Sequence, residues 1–387
     1  MHTELIDRIR AAHAAATQLV IQGGGSKLFY GNVAQGEILD TRSLNGVVDY
    51  QPKELVLTAR AGTPLADVEA LLAERNQMLA FEPPHFGCPR PNPPPQAGEG
   101  ANAELKPVYA TLGGCVATGL SGPRRPYTGS VRDYVLGVRM IDGTGETLSF
   151  GGQVMKNVAG YDVSRLMVGA LGTLGLITEV SLKVLPKPAA ELSLQFEMAE
   201  ASAITTMNRW AGQPLPLSAT SWHAELLTVR LSGAASAVAA ARAKLGGAEL
   251  HDAAAFWQRL REQTTPFFDK RPLWRLAVKS ATGPLQLGDA QWIEWGGAVR
   301  WLASDLPAAA LREGAHGCGG HATLFRGSAP PPQPSPRTGE GTNVMPTAIN
   351  DGVFAPLAPA LMTLHKNLKM RFDPKGIFNR GRLYPDF

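Results

Sequence analysis

Three nearly bare stretches of backbone constrain this chain more than any other feature: Gly23-Gly-Gly-Ser-Lys27, Ala110-Thr-Leu-Gly-Gly-Cys-Val-Ala-Thr-Gly119 and Gly169-Ala-Leu-Gly-Thr-Leu-Gly175. Segments without Cβ atoms turn sharply and let main chain approach another group closely, at a cost in entropy that some close contact has to offset. The first directly follows the β-rich run Gln18-Leu-Val-Ile-Gln22. Its amides can converge on an anion, with the Ser26 hydroxyl and the Lys27 ammonium as further donors. It is neither a Walker A loop nor GxGxxG, because position 28 is leucine; taken alone it also reads as a plain glycine turn. In the second stretch, small residues at 110, 111, 113, 114, 115, 117, 118 and 119 suit a flat ligand held by backbone donors, or equally a close helix crossing.

The surrounding sequence is mixed α and β. Leu5, Ile9 and Ala12 recur at helical spacing and predict an amphipathic helix over 3–16. Short β-type runs follow at 37–40, 46–50 and 54–59, and Thr63-Pro-Leu-Ala-Asp67 opens a helix with Thr63 as N-cap and Pro64 at its first position. Residues 134–150 read as a hairpin, 164–170 as a helix, and 174–185 as the strongest strand, stopped by Pro186-Lys-Pro188. A domain boundary is expected there. Beyond it, strands at 191–198, 223–231, 274–280 and 291–303 alternate with helices at 200–211, 234–245 and 252–264, the pattern of a compact α+β cap. A last helix over 358–370 leads into Phe372-Asp-Pro-Lys-Gly-Ile-Phe-Asn-Arg-Gly-Arg382.

Charge and cysteine usage exclude several classes. Lys plus Arg number 37 against 33 Asp plus Glu, with no basic run, so a nucleic-acid partner is not expected. Cys88, Cys115 and Cys318 lack CxxC spacing, which fits a reduced, cytoplasmic protein and cannot supply the four thiolates of an iron–sulfur cluster. The N-terminus lacks the cationic start of a signal peptide, and no window reaches the ~18 apolar residues of a membrane span. Membrane attachment is therefore expected only through partner subunits. His316-Gly-Cys-Gly-Gly-His321 lacks zinc-site spacing and reads as a turn, so no metal is expected. Two Pro/Gly-rich insertions, 89–106 and 328–344, share a Gly-Glu-Gly-x-Asn core and are expected to be mobile surface loops.

Three glycine-rich elements in this order, ahead of a proline-bounded cap and the Phe372–Arg382 tail, resemble the vanillyl-alcohol-oxidase type of FAD-binding fold, also called the PCMH-type FAD domain. More narrowly, Phe81-Glu-Pro-Pro-His85, Leu120-Ser-Gly-Pro-Arg-Arg-Pro126 and Val154-Met-Lys-Asn-Val-Ala-Gly-Tyr-Asp162 resemble the E-subunit family of bacterial glycolate oxidases. The resemblance is strong over 15–187 and 350–387 and weak over the cap. It implies an α+β protein: a two-part FAD-binding domain at 1–187 made of two α/β subdomains, a cap at 188–330, and a segment at 345–387 that returns to the FAD domain.

The resemblance also implies site residues. Gly23, Gly24, Gly25, Ser26 and Lys27 would hold the pyrophosphate. Thr111, Leu112, Gly113, Gly114 and Ala117, with Ser121, Gly122, Gly129 and Ser130, would line the ribityl chain and isoalloxazine. Gly175 and Ile177 would meet the adenine side or the flavin edge, and Asn379 with Arg382 would close the site. Covalent attachment in this fold usually uses a histidine near the first loop, which offers none here, so the FAD is expected to be non-covalent; Cys115 is read as small packing. The function implied is that of an FAD subunit in a glycolate (2-hydroxy acid) oxidase complex, alongside a catalytic flavin subunit and an iron–sulfur subunit. The alternative is a non-catalytic structural subunit with an empty flavin pocket.

Oxidising a 2-hydroxy acid needs a cation for the carboxylate and a base for the hydroxyl. Arg124 and Arg125 are candidates for the first and His85 for the second, each with the competing reading of ion pairing or structural hydrogen bonding. Relatives that oxidise hydroxy acids directly use paired histidines with a metal in the cap, and none is found between 189 and 303. That favours an auxiliary role in handling electrons.

Overall fold

The computed structural model describes residues 2–87, 108–152, 162–287, 291–327 and 352–387. Cys88, the insertion at 89–106, most of the 328–344 repeat's surroundings including the repeat itself, and residues 154–161 of the third motif lie outside the described residues.

The N-terminal part runs α1 (His2–Ala15), β1 (Leu19–Gln22), β2 (Glu37–Asp40), β3 (Val47–Gln51), β4 (Val56–Arg60), α2 (Leu65–Ala73), β5 (Gln77–Met78), α3 (Leu112–Thr118), α4 (Arg125–Thr128), α5 (Val131–Tyr134), β6 (Val135–Ile141), β7 (Thr147–Gly151), α6 (Val163–Leu166), β8 (Leu176–Lys183) and β9 (Leu185–Pro186). Leu5, Ile9 and Ala12 of α1 are buried at helical spacing. They pack with Leu19, Leu39, Ile141, Leu176 and Phe378, so the first helix, the first strand and the C-terminal tail share one core. Strands β1 and β2 pair in parallel, and the five strands β3-β4-β8-β6-β7 form an antiparallel sheet with β8 at its centre. The burial of β8 shows why it reads so strongly: Leu176, Ile177 and Thr178 are all buried, and Val180 and Leu182 continue the buried face in alternation with half-buried Glu179, Ser181 and Lys183.

The rest of the chain runs β10 (Ala190–Glu197), α7 (Glu200–Ala211), β11 (Leu217–His223), β12 (Leu226–Gly233), α8 (Ala235–Leu245), β13 (Ala248–Glu249), α9 (Ala253–Glu262), β14 (Leu273–Ala277), β15 (Gln291–Glu294), β16 (Val299–Ala303), α10 (Ala308–Gly317), β17 (His321–Arg326) and α11 (Pro359–Phe372). Its strands form one eight-stranded antiparallel sheet in the order β13-β10-β12-β11-β15-β16-β14-β17. The mixed helix-and-sheet class is as expected.

Local expectations differ from the structure in several places; the strand expected at 223–231, for one, starts only at Leu226, because Ala224 (φ 49°) and Glu225 (φ 62°) turn the chain after β11. The Thr63 hydroxyl does not cap α2: it accepts from the Gly46 amide at 3.0 Å and donates to the Gly46 carbonyl at 3.2 Å, and Pro64 takes the cap position. The helix expected at 164–170 is a single turn, because Gly169 turns at φ 83° and its amide bonds to Val116. The strand expected at 291–303 is two strands, broken where Trp295 (φ 57°), Gly296 (φ 66°) and Gly297 (φ 101°) turn between β15 and β16. Strand β11 is central and buried from Leu217 to Trp222, yet its polar residues Ser218, Thr220 and Ser221 hide it from periodicity. Those hydroxyls accept bonds from Arg230 Nε at 3.0 Å, the Gly296 amide at 2.9 Å and Trp292 Nε1 at 2.7 Å, which makes their burial tolerable.

Candidate functional site

The three glycine-rich segments meet. The Gly24 carbonyl accepts from the Tyr109 amide at 3.1 Å, which lays the first loop beside the start of the second segment. The Gly169 and Leu171 amides donate to Val116 and Ala117 of α3 at 3.1 and 2.8 Å, laying the third segment on the second. The tail then joins the first to the third: Asn379 Oδ1 accepts from the Ile21 amide at 2.7 Å, and its Nδ2 donates to the Leu171 carbonyl at 2.6 Å. A buried ion pair holds that tail in place, Lys369 donating to Asp373 at 2.8 Å and also to the carbonyls of Thr173 and Phe378. The glycines are required by these approaches. A Cβ on Gly24 would lie 1.9 Å from the Tyr109 carbonyl oxygen, and one on Gly23 would lie 2.5 Å from Thr111 Oγ1.

A cavity opens where the segments converge. Of the expected cofactor residues, Gly23, Gly24, Gly25, Ser26, Lys27, Thr111, Gly114, Ala117, Asn379 and Arg382 line it. Two cations line it, Lys27 buried and Arg382 partly buried. Lys27 Nζ donates to Ser26 Oγ at 3.3 Å and to the His85 carbonyl at 3.4 Å, and burial pushes its pKa down to about 8 against the opposing pull of nearby acids such as Glu262. The Arg382 guanidinium donates to the carbonyls of Tyr30, Leu28, Asn32 and Lys27 at 2.9 to 3.3 Å, and burial lowers its pKa to about 10. Among the described residues that line it there is no carboxylate. Two positive groups, bare amides and no acid form a donor set suited to a diphosphate. Cys115 lies on the buried face of α3, 1% exposed, its thiol held neutral by burial that raises its pKa to about 12.

The other expected cofactor residues sit elsewhere. Ser121 and Gly122 line a second cavity, which shares Thr118 with the first as a lining residue. Leu112 is fully buried, and a Cβ on Gly113 would press to 2.7 Å from Ala61 Cβ, so this turn of α3 packs on the chain itself. Gly129 abuts Asp133, whose carboxylate receives the Ser130 amide and hydroxyl at 2.7 and 2.9 Å. Gly175 packs on Met140 and the Ile141 carbonyl, and Ile177 is buried within β8.

Among the catalytic candidates, Arg124 is tied up. Its guanidinium bonds to Glu82 at 3.2 Å and Glu191 at 2.6 Å, and Arg230 of β12 reaches the same Glu82 at 2.8 Å. Burial alone would raise the Glu82 carboxyl pKa, but Arg230 and Arg124 outweigh it and hold it below the usual range. This network welds the segment after α3 to the eight-stranded sheet. His85 Nε2 sits 3.0 Å from Glu69 and lines neither cavity. Arg125 lines the second cavity, stacked 4.4 Å from the Trp295 ring.

Sequence reasoning missed the far wall of that second cavity: Gln263, Arg275, Glu294, Trp295 and Trp301. They come from the end of α9, from β14, β15 and β16, and from the turn at 295–297. No local motif joins them, and only the strand order of the large sheet brings them together. Gln22, Leu28, Tyr109 and Leu171, which line the first cavity, neighbour the motifs and were within reach of the sequence signal.

Comparison with known proteins follows the same lines. A sequence family described as FAD binding domain matches residues 2–88 and 102–151. Glycolate oxidase subunit GlcE of Escherichia coli (strain K12) is 45% identical over 383 residues, covering 99% of this chain and 97% of that protein. A D-lactate dehydrogenase of Anaerostipes hadrus is 33% identical over 42% of this chain and 30% of its own length. Glycolate oxidase subunit GlcD of Bacillus subtilis (strain 168) is 28% identical over 51% of this chain and 38% of its own length. A solved structure of alkyldihydroxyacetonephosphate synthase matches 98% of this chain and 75% of that one with a TM-score of 0.61 at 16% identity, a likeness of fold.

Proposed function

This chain belongs to the glycolate oxidase subunit GlcE family of FAD-binding proteins, and from that premise we propose that it is the FAD-binding subunit of a multi-subunit glycolate oxidase, handling electrons released from a 2-hydroxy acid. The observation that carries the reading is the first cavity: three glycine segments from distant parts of the chain converge beside Lys27 and Arg382, and none of the described residues lining the space is an acid. The amides of Gly23 to Ser26, with Lys27 and Arg382, would hold the FAD pyrophosphate. Thr111, Gly114 and Ala117 would leave room for the ribityl chain, and Asn379 would fix the loop that makes the cradle. Ser121 and Gly122, lining the second cavity beyond Thr118, would meet the ring. FAD bound there supplies both one- and two-electron chemistry. Attachment is non-covalent in this reading, since the first loop offers no histidine and Cys115 is a buried neutral thiol.

The same reading places a catalytic flavin subunit and an iron–sulfur subunit beside this chain, because three cysteines cannot bind a cluster that needs four. Among the described residues no helix is long and apolar enough to cross a membrane; a cytoplasmic protein that reaches a membrane through its partners fits this. We also propose that the FAD domain ends near residue 187, where the five-stranded sheet gives way to the eight-stranded one. The test is to purify the co-expressed complex with and without this chain and assay glycolate-dependent dye reduction. Loss of activity without this chain, and a flavin carried by the chain itself, are the expected results. A complex that works unchanged without it refutes the reading, and a required but colourless chain supports a structural role instead.

Lys27 gives a further expectation with a definite sign. A diphosphate beside it stabilises the ammonium, so FAD affinity is strongest below about pH 8 and falls as pH rises through the free-protein pKa, by up to about tenfold per pH unit. Stability of the FAD-free protein moves the other way. Between about 8 and the ordinary 10.5 the unfolded chain binds the extra proton, so folding gains as pH rises. FAD titrations at pH 7, 8 and 9 check this, and Lys27→Met is expected to flatten the affinity slope. An identical slope in the variant would remove Lys27 from the site.

Glu294 provides another. It is 6% exposed, and burial pushes its pKa up to about 7, against the hydrogen bond from Trp301 and the charge of Arg275. The folded state therefore binds the extra proton between the ordinary 4.5 and about 7, and stability declines as pH rises through that window. Glu294→Gln keeps an acceptor for Trp301 and removes the buried charge, so it is expected to stabilise the protein at pH 8, by roughly 1–3 kcal/mol, and to be nearly neutral at pH 4.5. Urea denaturation at the two pH values measures the difference; equal effects at both would contradict it.

A further inference from the structure

The Lys27 ammonium is held from outside its own loop. Apart from Ser26 Oγ at 3.3 Å, its hydrogen-bond partner among the described residues is the His85 carbonyl at 3.4 Å, and the centre of the Phe86 ring lies 5.8 Å from Nζ. Where the ammonium sits therefore depends on where residues 85 and 86 sit. Phe86 has φ 52°, a left-handed conformation that a bulky side chain keeps only where its surroundings enforce it. The enforcing group comes from a distant part of the chain. Glu262, the last residue of α9, places a single carboxylate oxygen, Oε2, 2.9 Å from both the His85 and the Phe86 amides. Two successive amides that converge on one anion form a nest, and a left-handed residue is what turns them to the same side. The other oxygen, Oε1, accepts from Arg261 Nε at 2.7 Å. His85 is also fixed through its ring, Nε2 lying 3.0 Å from Glu69 of α2, and Arg261 reaches the same carboxylate at 3.7 Å. Helix α9 itself is anchored on the eight-stranded sheet, Trp257 and Leu260 packing with Leu273, Trp292 and Trp301.

We propose that Glu262 is a positioning residue of the flavin site: its carboxylate fixes the loop at 85–86 and, through the His85 carbonyl, holds the Lys27 ammonium in the diphosphate cradle. The proposal rests on the FAD reading above and deepens it, because it makes a residue anchored on the eight-stranded sheet responsible for a charge that binds the cofactor. Glu262 is not among the residues that line the cavity. Its oxygens are taken up by two amides and Arg261, so its effect on an anion in the cradle runs through Lys27. Charge follows the same path as geometry. Burial makes Lys27 give up its proton more readily, and Cys115 and Glu262 are the acids that oppose this. Burial also holds the Cys115 thiol neutral below about pH 12, so Glu262 supplies the opposing charge over the range in which Lys27 titrates. The other charged groups around the pair are Arg261 and Glu69 beside Glu262, Arg382 lining the cavity with Lys27, and Arg326, 5.2 Å from the centre of the Phe86 ring. The two functions of the carboxylate separate by substitution. Glu262→Gln keeps an oxygen for the two amides and removes the charge, whereas Glu262→Leu removes both.

The experiment titrates FAD into the full-length chain from pH 6 to pH 10, following flavin fluorescence, for the parent, the two variants and each variant combined with Lys27→Met. The parent loses affinity as pH rises through about 8. In Glu262→Gln the decline is expected about one pH unit lower, so that affinity falls about fivefold at pH 8 and stays within about twofold at pH 6. Glu262→Leu is expected to lose about fivefold or more at pH 6 as well, because the loop is released. In the Lys27→Met background neither change is expected to alter FAD affinity by more than about twofold at any pH, since a residue that acts through Lys27 has no effect without it. Hydrogen exchange at the His85 and Phe86 amides of the FAD-free chain reads the clamp by itself, and Glu262→Leu is expected to speed it at least about tenfold. A Glu262→Gln profile that coincides with that of the parent, a loss that persists undiminished beside Lys27→Met, or amides whose exchange ignores Glu262→Leu overturns the proposal. Each of these, in a parent that binds FAD, sinks this inference alone. A parent that takes up no FAD at any of these pH values overturns the FAD reading, and this inference with it.

Discussion

Replacing Gly24 with alanine is expected to abolish FAD retention as completely as replacing it with valine. If the loop mattered only as empty space, the loss would grow with side-chain size, and alanine would be mild. The structure gives a different reason. The first added carbon would sit 1.9 Å from the Tyr109 carbonyl oxygen and 2.8 Å from its carbonyl carbon, and both belong to backbone that cannot swing aside. The loop has to leave Tyr109, breaking the 3.1 Å bond between the Tyr109 amide and the Gly24 carbonyl, and the amides that face the cavity lose their convergence. Both variants should lose at least about a hundredfold in FAD affinity, equivalent to roughly 2.7 kcal/mol. Gly212→Ala is the matched control: a Cβ there meets nothing closer than 3.7 Å, and flavin content should not change. Measured FAD per chain decides the matter, and an alanine variant that keeps its flavin would show that the loop does not depend on this contact.

The second large effect is on stability. Glu82 lies between two buried arginines, Arg124 at 5% and Arg230 at 3% exposure, and receives the Arg124 amide as well. Glu82→Ala leaves both guanidiniums desolvated with Glu191, the half-exposed partner, as the remaining acid at 2.6 Å from Arg124 and 3.9 Å from Arg230. Removing one partner from a buried ion network costs about 3–5 kcal/mol, much of it the penalty of the uncompensated charge. Glu82→Gln keeps the acceptor and the shape, and its cost should be smaller. Chemical denaturation of the three proteins at one pH measures this. A loss below about 1 kcal/mol for Glu82→Ala would mean that water reaches the network. The effect also bears on the site, because Gly122 packs beneath the Glu82 carbonyl, where a Cβ would come within 2.3 Å. The wall of the second cavity therefore depends on the same residue.

How much of this was legible before the fold was known follows from the range over which each signal acts. The glycine segments and the tail carry their information locally, and Gly23 to Lys27, Thr111, Gly114, Ala117, Asn379 and Arg382 come together around one space. Strands with one strong apolar signal, such as 176–183, were readable for the same reason. Residues were misread where a side chain is spent on tertiary contact: Thr63 on Gly46 instead of the helix end, and Ser218, Thr220 and Ser221 on buried bonds inside β11. Arg124 and Arg125 are adjacent and chemically alike in sequence, and only the fold separates the locked ion pair from the free edge of a cavity. Gln263, Arg275 and Glu294 belong to three distant elements, and no pattern along the chain could link them.

The central claim is that one FAD lies where the three glycine segments meet, held by Lys27 and Arg382. Its most direct measurement is the amount of FAD released by denaturing the full-length chain after it has been purified alone and incubated with excess FAD. The account requires close to one FAD per chain, falling to near zero in Gly24→Ala with the rest of the protein still folded. A folded wild-type protein that stays colourless, or a Gly24→Ala variant that stays yellow, would contradict it.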